Sequence, residues 1–474
     1  MRIARVLSFN LIFMCTTASI HATANGVAPY LPIHSSPALD NEIERLASIA
    51  NIPNLTKPYN IATIYHYMDK VSDTHPTLYR RLNKALKSYE KTWGLTYKKL
   101  TISTNNNTHA KPNNDGVDTD QHYQTIIRGQ WQVADWFGIY AGGNITKDDK
   151  QLTGTTLSLG TSWAQLDIGY KEHWFGPFNG SGQLISNNAQ TMPSVSLSNN
   201  LPINVFGHNV NYELFLAQMS TQPVLFEGSF SDTKNPYLAG VHVSFQPTPW
   251  WTLGANRMFQ FSGGERPIDA RKVIDAFFDP RGTDNTTDLD DQSGNQIASL
   301  TSKINFDTNV PVTLSVEYAG EDTANSVEGQ LGNSALITGI YFPYLLGDVL
   351  SLNYEYSNWQ DKWYTNSVYA DGYVNEDYVV GHWALQPQRE NGTATEGSSH
   401  YLNSVWQINN NHVLSANLRT SKNQDTAGQE YKDTWEVNIN YTMPFHRKAL
   451  SLELYTGIDY LGDDYTQVSL SLQW

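Results

Sequence analysis

The sequence predicts an all-β transmembrane barrel with a small N-terminal α-helical bundle, and three observations carry that reading. The first residues have the build of an export signal. From about residue 122 onward, apolar and polar residues alternate with a period of two. The last stretch ends on Trp474, with Leu472, Leu470 and Val468 at every second position before it.

Arg2 and Arg5 form a short positive region, followed by a mostly apolar run from Val6 to Ile20. Ala22-Thr23-Ala24 then supplies the small-residue pattern that signal peptidase accepts. Residues 1–24 are expected to be a signal peptide, too short and too interrupted for a permanent anchor. The single cysteine, Cys15, lies inside it and is a poor lipid acceptor, because Phe13 and Met14 stand where small residues belong. The mature chain then has no cysteine, which removes disulfides, thiolate metal sites and a cysteine nucleophile. No later stretch reaches the roughly 18 apolar residues of a membrane-crossing helix, and the mean hydropathy is −0.44. A membrane barrel has such values, since its lipid-facing and lumen-facing residues alternate. The 27 tyrosines, 13 tryptophans and 33 glycines suit aromatic girdles and tight turns.

Residues 25–115 read as a helical bundle and linker, expected in the periplasm. Ile61, Ile64, Tyr65 and Met68 follow helical spacing behind Pro58. Pro76 opens a second helix with Leu78, Leu82, Leu86 and Tyr89 on one face, and a third piece surrounds Ile43, Leu46 and Ala50. These faces need a common partner, so a bundle is the simplest solution. The second helix and its continuation are basic. Arg80, Arg81, Lys84, Lys87, Lys91, Lys98 and Lys99 stand against Glu90, in a chain of net charge −15. Such a face fits acidic glycans or lipid phosphates, or is simply solvated. Residues 102–121, rich in Asn, Thr and Asp, read as linker or first loop.

Residues 116–474 read as the barrel. Ala164, Leu166, Ile168 and Tyr170 alternate with Gln165, Asp167, Gly169 and Lys171. The same pattern recurs at Val312 to Tyr318, Leu350 to Tyr356 and Trp435 to Met443. The second face is too polar for a sandwich core and wet enough for a lumen. At roughly 20 residues per strand and connection, residues 122–474 allow on the order of 16 to 18 antiparallel strands. One stretch resists the pattern: Trp251, Leu253 and Ala255 share a face that would put Arg257 in lipid. Either the strand leaves the membrane before Arg257, or a bulge turns it. Val468, Leu470, Leu472 and Trp474 resemble the terminal strand read by barrel-assembly machinery.

Motifs for common chemistries are missing: no P-loop, no dinucleotide fingerprint, no HExxH. Gly160-Thr161-Ser162-Trp163-Ala164 only approaches a nucleophile elbow. The 13 histidines are scattered, without the close pairs metal sites favour. No metal or other cofactor is expected, although the acidic loop at Asp284, Asp288, Asp290 and Asp291 offers oxygens to calcium without EF-hand spacing. Three polar clusters at strand ends mix charge with aromatics or glycines. They are Lys171-Glu172-His173-Trp174-Phe175-Gly176-Pro177, Arg257 through Gly263-Gly264-Glu265-Arg266-Pro267, and Glu317-Tyr318-Ala319-Gly320-Glu321-Asp322. Aromatic faces stack on pyranose C–H groups, and carboxylates and guanidinium groups pair with hydroxyls, so such clusters fit sugar recognition. They fit a lumenal salt-bridge network equally well, with Arg257, Glu265, Arg266, Glu321 and Asp322 as its members.

Gly169 through Pro177 resembles a strand-end signature of the Wzi family of capsule-assembly outer-membrane proteins. Leu253-Gly254-Ala255-Asn256-Arg257-Met258, Gly263 to Pro267, and Gly294-Asn295-Gln296 are similar to that family too. So are Gly320-Glu321-Asp322 and Tyr369-Ala370-Asp371-Gly372-Tyr373, all in the family's order. The resemblance implies an 18-stranded barrel with a periplasmic helical bundle, acting as a lectin that attaches capsular polysaccharide to the cell surface of a Gram-negative bacterium. The chain departs from the family at His173-Trp174-Phe175 and in a longer Asp-rich segment at 279–295.

Three functions remain distinct. A non-enzymatic glycan-binding barrel needs a blocked or narrow lumen and aromatic-acidic loops at its outer rim. A diffusion porin needs an open lumen with opposed charges. An outer-membrane glycan hydrolase needs a carboxylate pair, which Glu321 with Asp322 cannot supply from opposite faces of a strand. Glu317 and Glu321 share a face, but roughly 13 Å apart. The leading expectation is glycan binding by Glu172, His173, Trp174, Arg257, Glu265, Arg266, Asn295, Gln296, Glu321, Asp322, Asp371 and Tyr373. The expected partners are surface polysaccharide, outer-membrane lipid and lipopolysaccharide, and the assembly machinery. Nucleic acid is not among them, and the chain is expected to be monomeric.

Overall fold

The computed structural model describes residues 26–104, 107–267, 271, 292, 294–323, 331–409 and 411–474. The expected signal peptide and Asp284, Asp288, Asp290 and Asp291 lie outside the described residues. Three helices come first: α1 (Pro37–Ile49), α2 (Ile61–Lys70) and α3 (Pro76–Leu86). The strands β1 (Trp93–Ser103), β2 (Tyr123–Ala134), β3 (Phe137–Thr146), β4 (Thr156–Gly160), β5 (Gln165–Gly169) and β6 (Ser194–Ser198) follow. Next come β7 (His208–Gln218), β8 (Tyr237–Thr248), β9 (Trp251–Phe261), β10 (Asn295–Phe306), β11 (Val312–Gly320) and β12 (Ala335–Phe342). The last six are β13 (Leu350–Trp359), β14 (Gly397–Asn409), β15 (His412–Asn423), β16 (Thr434–Phe445), β17 (Lys448–Ile458) and β18 (Asp464–Gln473). Each pairs antiparallel with the next, and β18 pairs with β1 from Gln473 opposite Lys99 to Ser469 opposite Ser103. The result is a closed barrel of 18 strands, with a few two- or three-residue strands outside it. Closure removes the open edges that would otherwise seek another chain.

The barrel starts earlier than the expected boundary at 115–116, because Trp93–Ser103 is its first strand. Its alternation is broken by a bulge between Leu95 and Tyr97. Its lysines, Lys98 and Lys99, also continue the basic character of α3, so the period-two signal is masked. Elsewhere the alternation is as expected. Along β5, Gln165 and Asp167 are buried in the lumen and Ile168 is exposed outward. Along β18, Val468, Leu470 and Trp474 face outward, while Gln467, Ser469 and Ser471 are buried. At one end the strands are joined by short turns, such as 135–136, 249–250 and 446–447. Exposed Trp93, Trp136, Trp163, Trp250, Trp406 and Trp474 crowd that end, the girdle expected where a barrel meets a membrane interface. The other end carries the long connections, including 170–193, 219–236 and 360–396.

The helices plug the short-turn mouth. Ser36 caps α1 by accepting from Leu39 N at 3.2 Å, and Asn60 caps α2 by accepting from Ala62 N at 2.9 Å. Leu46, Ile64, Leu78, Leu82 and Leu86, all nearly unexposed, form the core between them. Polar bonds then fix this core to the barrel. Arg45 Nε donates to Pro343 O at 2.9 Å, Ser48 meets Thr313 at 2.7 Å, and Lys303 Nζ donates to Ile52 O at 2.9 Å. On the opposite wall Ala28 N donates to Gln165 Oε1 at 2.9 Å. Residues 171–192 fold inward from the long-loop end and meet this plug, where Thr56–Lys57 pairs with Trp174–Phe175.

Candidate functional site

The expected residues fall into three places. Glu172, His173 and Trp174 stand together on the inward-folded segment. His173 Nδ1 lies 2.6 Å from Glu213 Oε1, Nε2 lies 3.0 Å from Ser194 Oγ, and the ring stacks on Phe215 at 4.0 Å. Lys171 joins the same carboxylate at 3.4 Å and Asp167 at 3.8 Å. Glu172 is buried, and burial with the nearby Asp115 carboxylate pushes it above the usual range. Trp174 is fully buried, edge-on to His34, with Lys57 Nζ 5.5 Å from its ring. These residues hold the plug in the lumen.

A second group surrounds β9. Strand β9 pairs with β10 in continuous register, so no bulge turns Arg257 and its side chain stays on the outward face, bonded to Gln296. Asn295, one residue earlier on β10, is buried. Arg266 is buried as well, donating to Gln292 O at 2.5 Å and Leu225 O at 3.0 Å. Glu265 is instead exposed, pairing with Lys234 at 3.5 Å and accepting from Thr233 at 2.7 Å. Arg257 and Glu265 therefore do not face the lumen, because strand parity directs one outward and an exposed turn carries the other. Glu321 accepts from Tyr364 N, on the long 360–396 connection, at 2.5 Å, and from Asn333 Nδ2, on its own connection between β11 and β12, at 3.3 Å. Asp322 begins a two-residue strand next to it.

The third place is a cavity of about 590 Å³ at the long-loop mouth. Its walls come from residues 108–118, from 376–390 and from the outer ends of β15 to β18. Trp383, Tyr378, Tyr460, Tyr465 and His109 present aromatic surface to it. Strand β18 holds Tyr465, whose hydroxyl points at Glu436 Oε2 at 3.3 Å and whose ring stacks on His109 at 3.9 Å. Glu436 is buried and satisfied by Arg419 at 2.6 Å and Tyr455 at 2.6 Å, which makes the floor rigid. Tyr378 donates to Asp118, whose carboxyl is pushed up by burial. A short helix, α4 (Gln386–Glu390), carries Arg389, which pairs with Asp377 at 3.0 Å and lies 3.9 Å from Asp371. Its Nε is buried and has no hydrogen-bond partner among the described residues. Behind it His382 is wedged between Trp359 and Trp383; burial, then the Arg419 charge, pulls it down to about 3, so it is neutral.

Aromatic planes beside carboxylates and one guanidinium can stack on a pyranose ring and pair with its hydroxyls. None of the expected residues is among the described residues that line this cavity; Asp371 lies 3.9 Å from Arg389 in its wall, and Tyr373 is buried against Tyr364 at 5.0 Å. Sequence reading missed Tyr378, Trp383, Arg389, Tyr460 and Tyr465. The usable signal was a long connection carrying Tyr373, Tyr378 and Trp383, more aromatic than a solvated loop needs. A smaller cavity, about 250 Å³, lies deeper, between the plug and the lumenal faces of β1 and β14 to β18. Residues 107–118 separate the two; Lys111 is anchored on Glu453 at 2.9 Å, and Asn113 Nδ2 donates to Gly180 O at 2.5 Å.

A family model, capsule assembly protein Wzi, matches residues 89–461. The fold is similar to that of Escherichia coli Wzi, described as an outer membrane protein involved in group 1 capsule assembly and a carbohydrate-binding β-barrel. The TM-score is 0.71 at 15% identity, over 94% of this chain and 99% of that one. Pseudomonas aeruginosa OccK5 (OpdH) and OpdQ align with TM-scores of 0.48 and 0.47 at 10% and 11% identity, over 80% of this chain and 95% of each of theirs. No curated protein sequence matches significantly.

Proposed function

Since this chain belongs to the Wzi family of capsule-assembly proteins, we propose that it is a non-enzymatic, lectin-like barrel that binds exported polysaccharide and keeps it at the cell surface. The aromatic and carboxylate-lined cavity at the long-loop mouth carries this reading. Bacterial outer-membrane barrels have short periplasmic turns and longer external loops. That asymmetry supports a periplasmic helical plug and a cavity open to the cell surface. The plug and the inward-folded 171–192 segment favour retention of a bound chain over free diffusion through the barrel. Glu172, His173 and Trp174 act in this reading by holding the plug, and Asp371 by orienting Arg389. Lipid and lipopolysaccharide surround the apolar band, and the assembly machinery reads the last strand.

Equilibrium binding of fluorescent capsular polysaccharide from the native host to the purified barrel tests the assignment. Trp383→Ala with Tyr465→Ala is expected to weaken binding at least tenfold while the barrel stays folded. Unchanged affinity in that variant would remove the cavity from the binding surface.

A further inference from the structure

The outer cavity is markedly one-signed. Asp118, Glu376, Asp377, Glu390 and Asp459 line it, and among the described residues that line it Arg389 is the one lysine or arginine. Arg389 is already engaged by Asp377. Glu436 is matched by Arg419 below the floor and is not counted in this excess. The aromatic walls are indifferent to the sign of a sugar's charge, because every pyranose has an apolar C–H face. Selection by charge therefore falls to the carboxylates. A bound uronate or sulfated sugar would sit within a Debye length of several like charges, three of them exposed at the rim (Glu376, Asp377 and Glu390), so repulsion acts at low ionic strength. A protonated amine would be attracted, and a neutral acetamido or hydroxyl group would be tolerated.

We propose that the cavity selects a glycan by charge, taking an amino sugar most tightly, a neutral sugar less so and a uronate least. This inference rests on the glycan-binding reading above and adds the chemical class of the bound unit.

The test uses the full-length barrel at pH 6 with three probes of equal length and linkage, the β-1,4-linked hexamers of glucosamine, N-acetylglucosamine and glucuronate, with chelator present. The expected affinity falls in that order, by at least tenfold from first to last. In 1 M salt, where the Debye length is about 3 Å, the order should flatten. Glu376→Lys with Glu390→Lys should raise glucuronate binding at least tenfold. Equal binding of all three, or tighter glucuronate binding, would overturn the charge inference and leave the glycan reading standing. Glucuronate bound best only after calcium is added would also overturn it, by making a bridging cation the determinant. If no hexamer binds to the folded barrel while capsular polysaccharide from the native host does, the charge inference falls and the glycan reading stands; if neither binds, both fall.

Discussion

Arg419 shows how a single lumenal residue supports the mouth above it. It is nearly fully buried, pairs with Glu436 at 2.6 Å, and lies 5.0 Å from the Tyr401 ring. Arg419→Ala would leave Glu436 a buried, uncompensated carboxylate beneath Tyr465 and His109, a change costing about 3 to 5 kcal/mol. The heat-modified mobility of the barrel should shift to lower temperature, and Arg419→Met with Glu436→Gln should restore most of the loss. His382 gives a second residue-scale expectation. Its folded value of about 3 lies below the ordinary histidine range, so its contribution is complete above about pH 6.5 and is lost as pH falls through that value. At pH 4 the loss reaches about 3 kcal/mol. Protease cleavage within 360–396 should therefore rise between pH 7 and pH 4, and His382→Gln should abolish the rise. Acid-insensitive cleavage in the parent would contradict the buried neutral ring. At this scale the sequence was least legible. Nothing local in Trp383 or Tyr465 separates a cavity wall from a girdle residue, because the distinction depends on which strands and loops meet around them.

Among the elements, the inward-folded 171–192 segment and the last strand make opposite demands. The segment needs room inside the lumen, and Gly240 on β8 provides it. A Cβ there would stand 2.1 Å from the ring of Phe215, on which His173 stacks. Gly240→Val should displace that contact, destabilise the barrel by about 1 to 3 kcal/mol, and admit intermittent ion flow in planar bilayers that the parent should not show. A closed, equally stable variant would show that Phe215 does not hold the segment. The last strand instead needs an unbroken apolar face. Leu470 is about half exposed toward the membrane. Leu470→Arg should cost about 2 to 4 kcal/mol near mid-membrane and reduce the folded fraction recovered in outer membranes; normal recovery would place Leu470 outside the apolar band. The helices and the strands with clean alternation could be read from the sequence, because periods of 3.6 and two follow from backbone geometry alone. Strand β1 could not, since its bulge between Leu95 and Tyr97 breaks the period and its lysines extend the basic helix. The inward fold of 171–192 was equally hidden, because its aromatic and charged residues suit a rim as well as a plug.

Across the whole molecule, the proposed function divides the labour of one barrel between the plug and the outer cavity. The short-turn end is sealed by helices tied to lumenal side chains, and the long-loop end holds the aromatic cavity above a charged, hydrogen-bonded floor. The barrel architecture was legible from the alternation and the ordered family resemblance. The proposed binding surface was not, because it is assembled from loops far apart in sequence, where no period constrains the residues. Tethering of polysaccharide is tested most directly in the native host by the ratio of cell-attached to released polymer. Cells carrying the parent, no protein, or Trp383→Ala with Tyr465→Ala at equal barrel abundance would be compared. The expected result is release in the double variant matching that in cells without the protein, with total polymer unchanged. Full retention by the double variant would contradict tethering through this cavity.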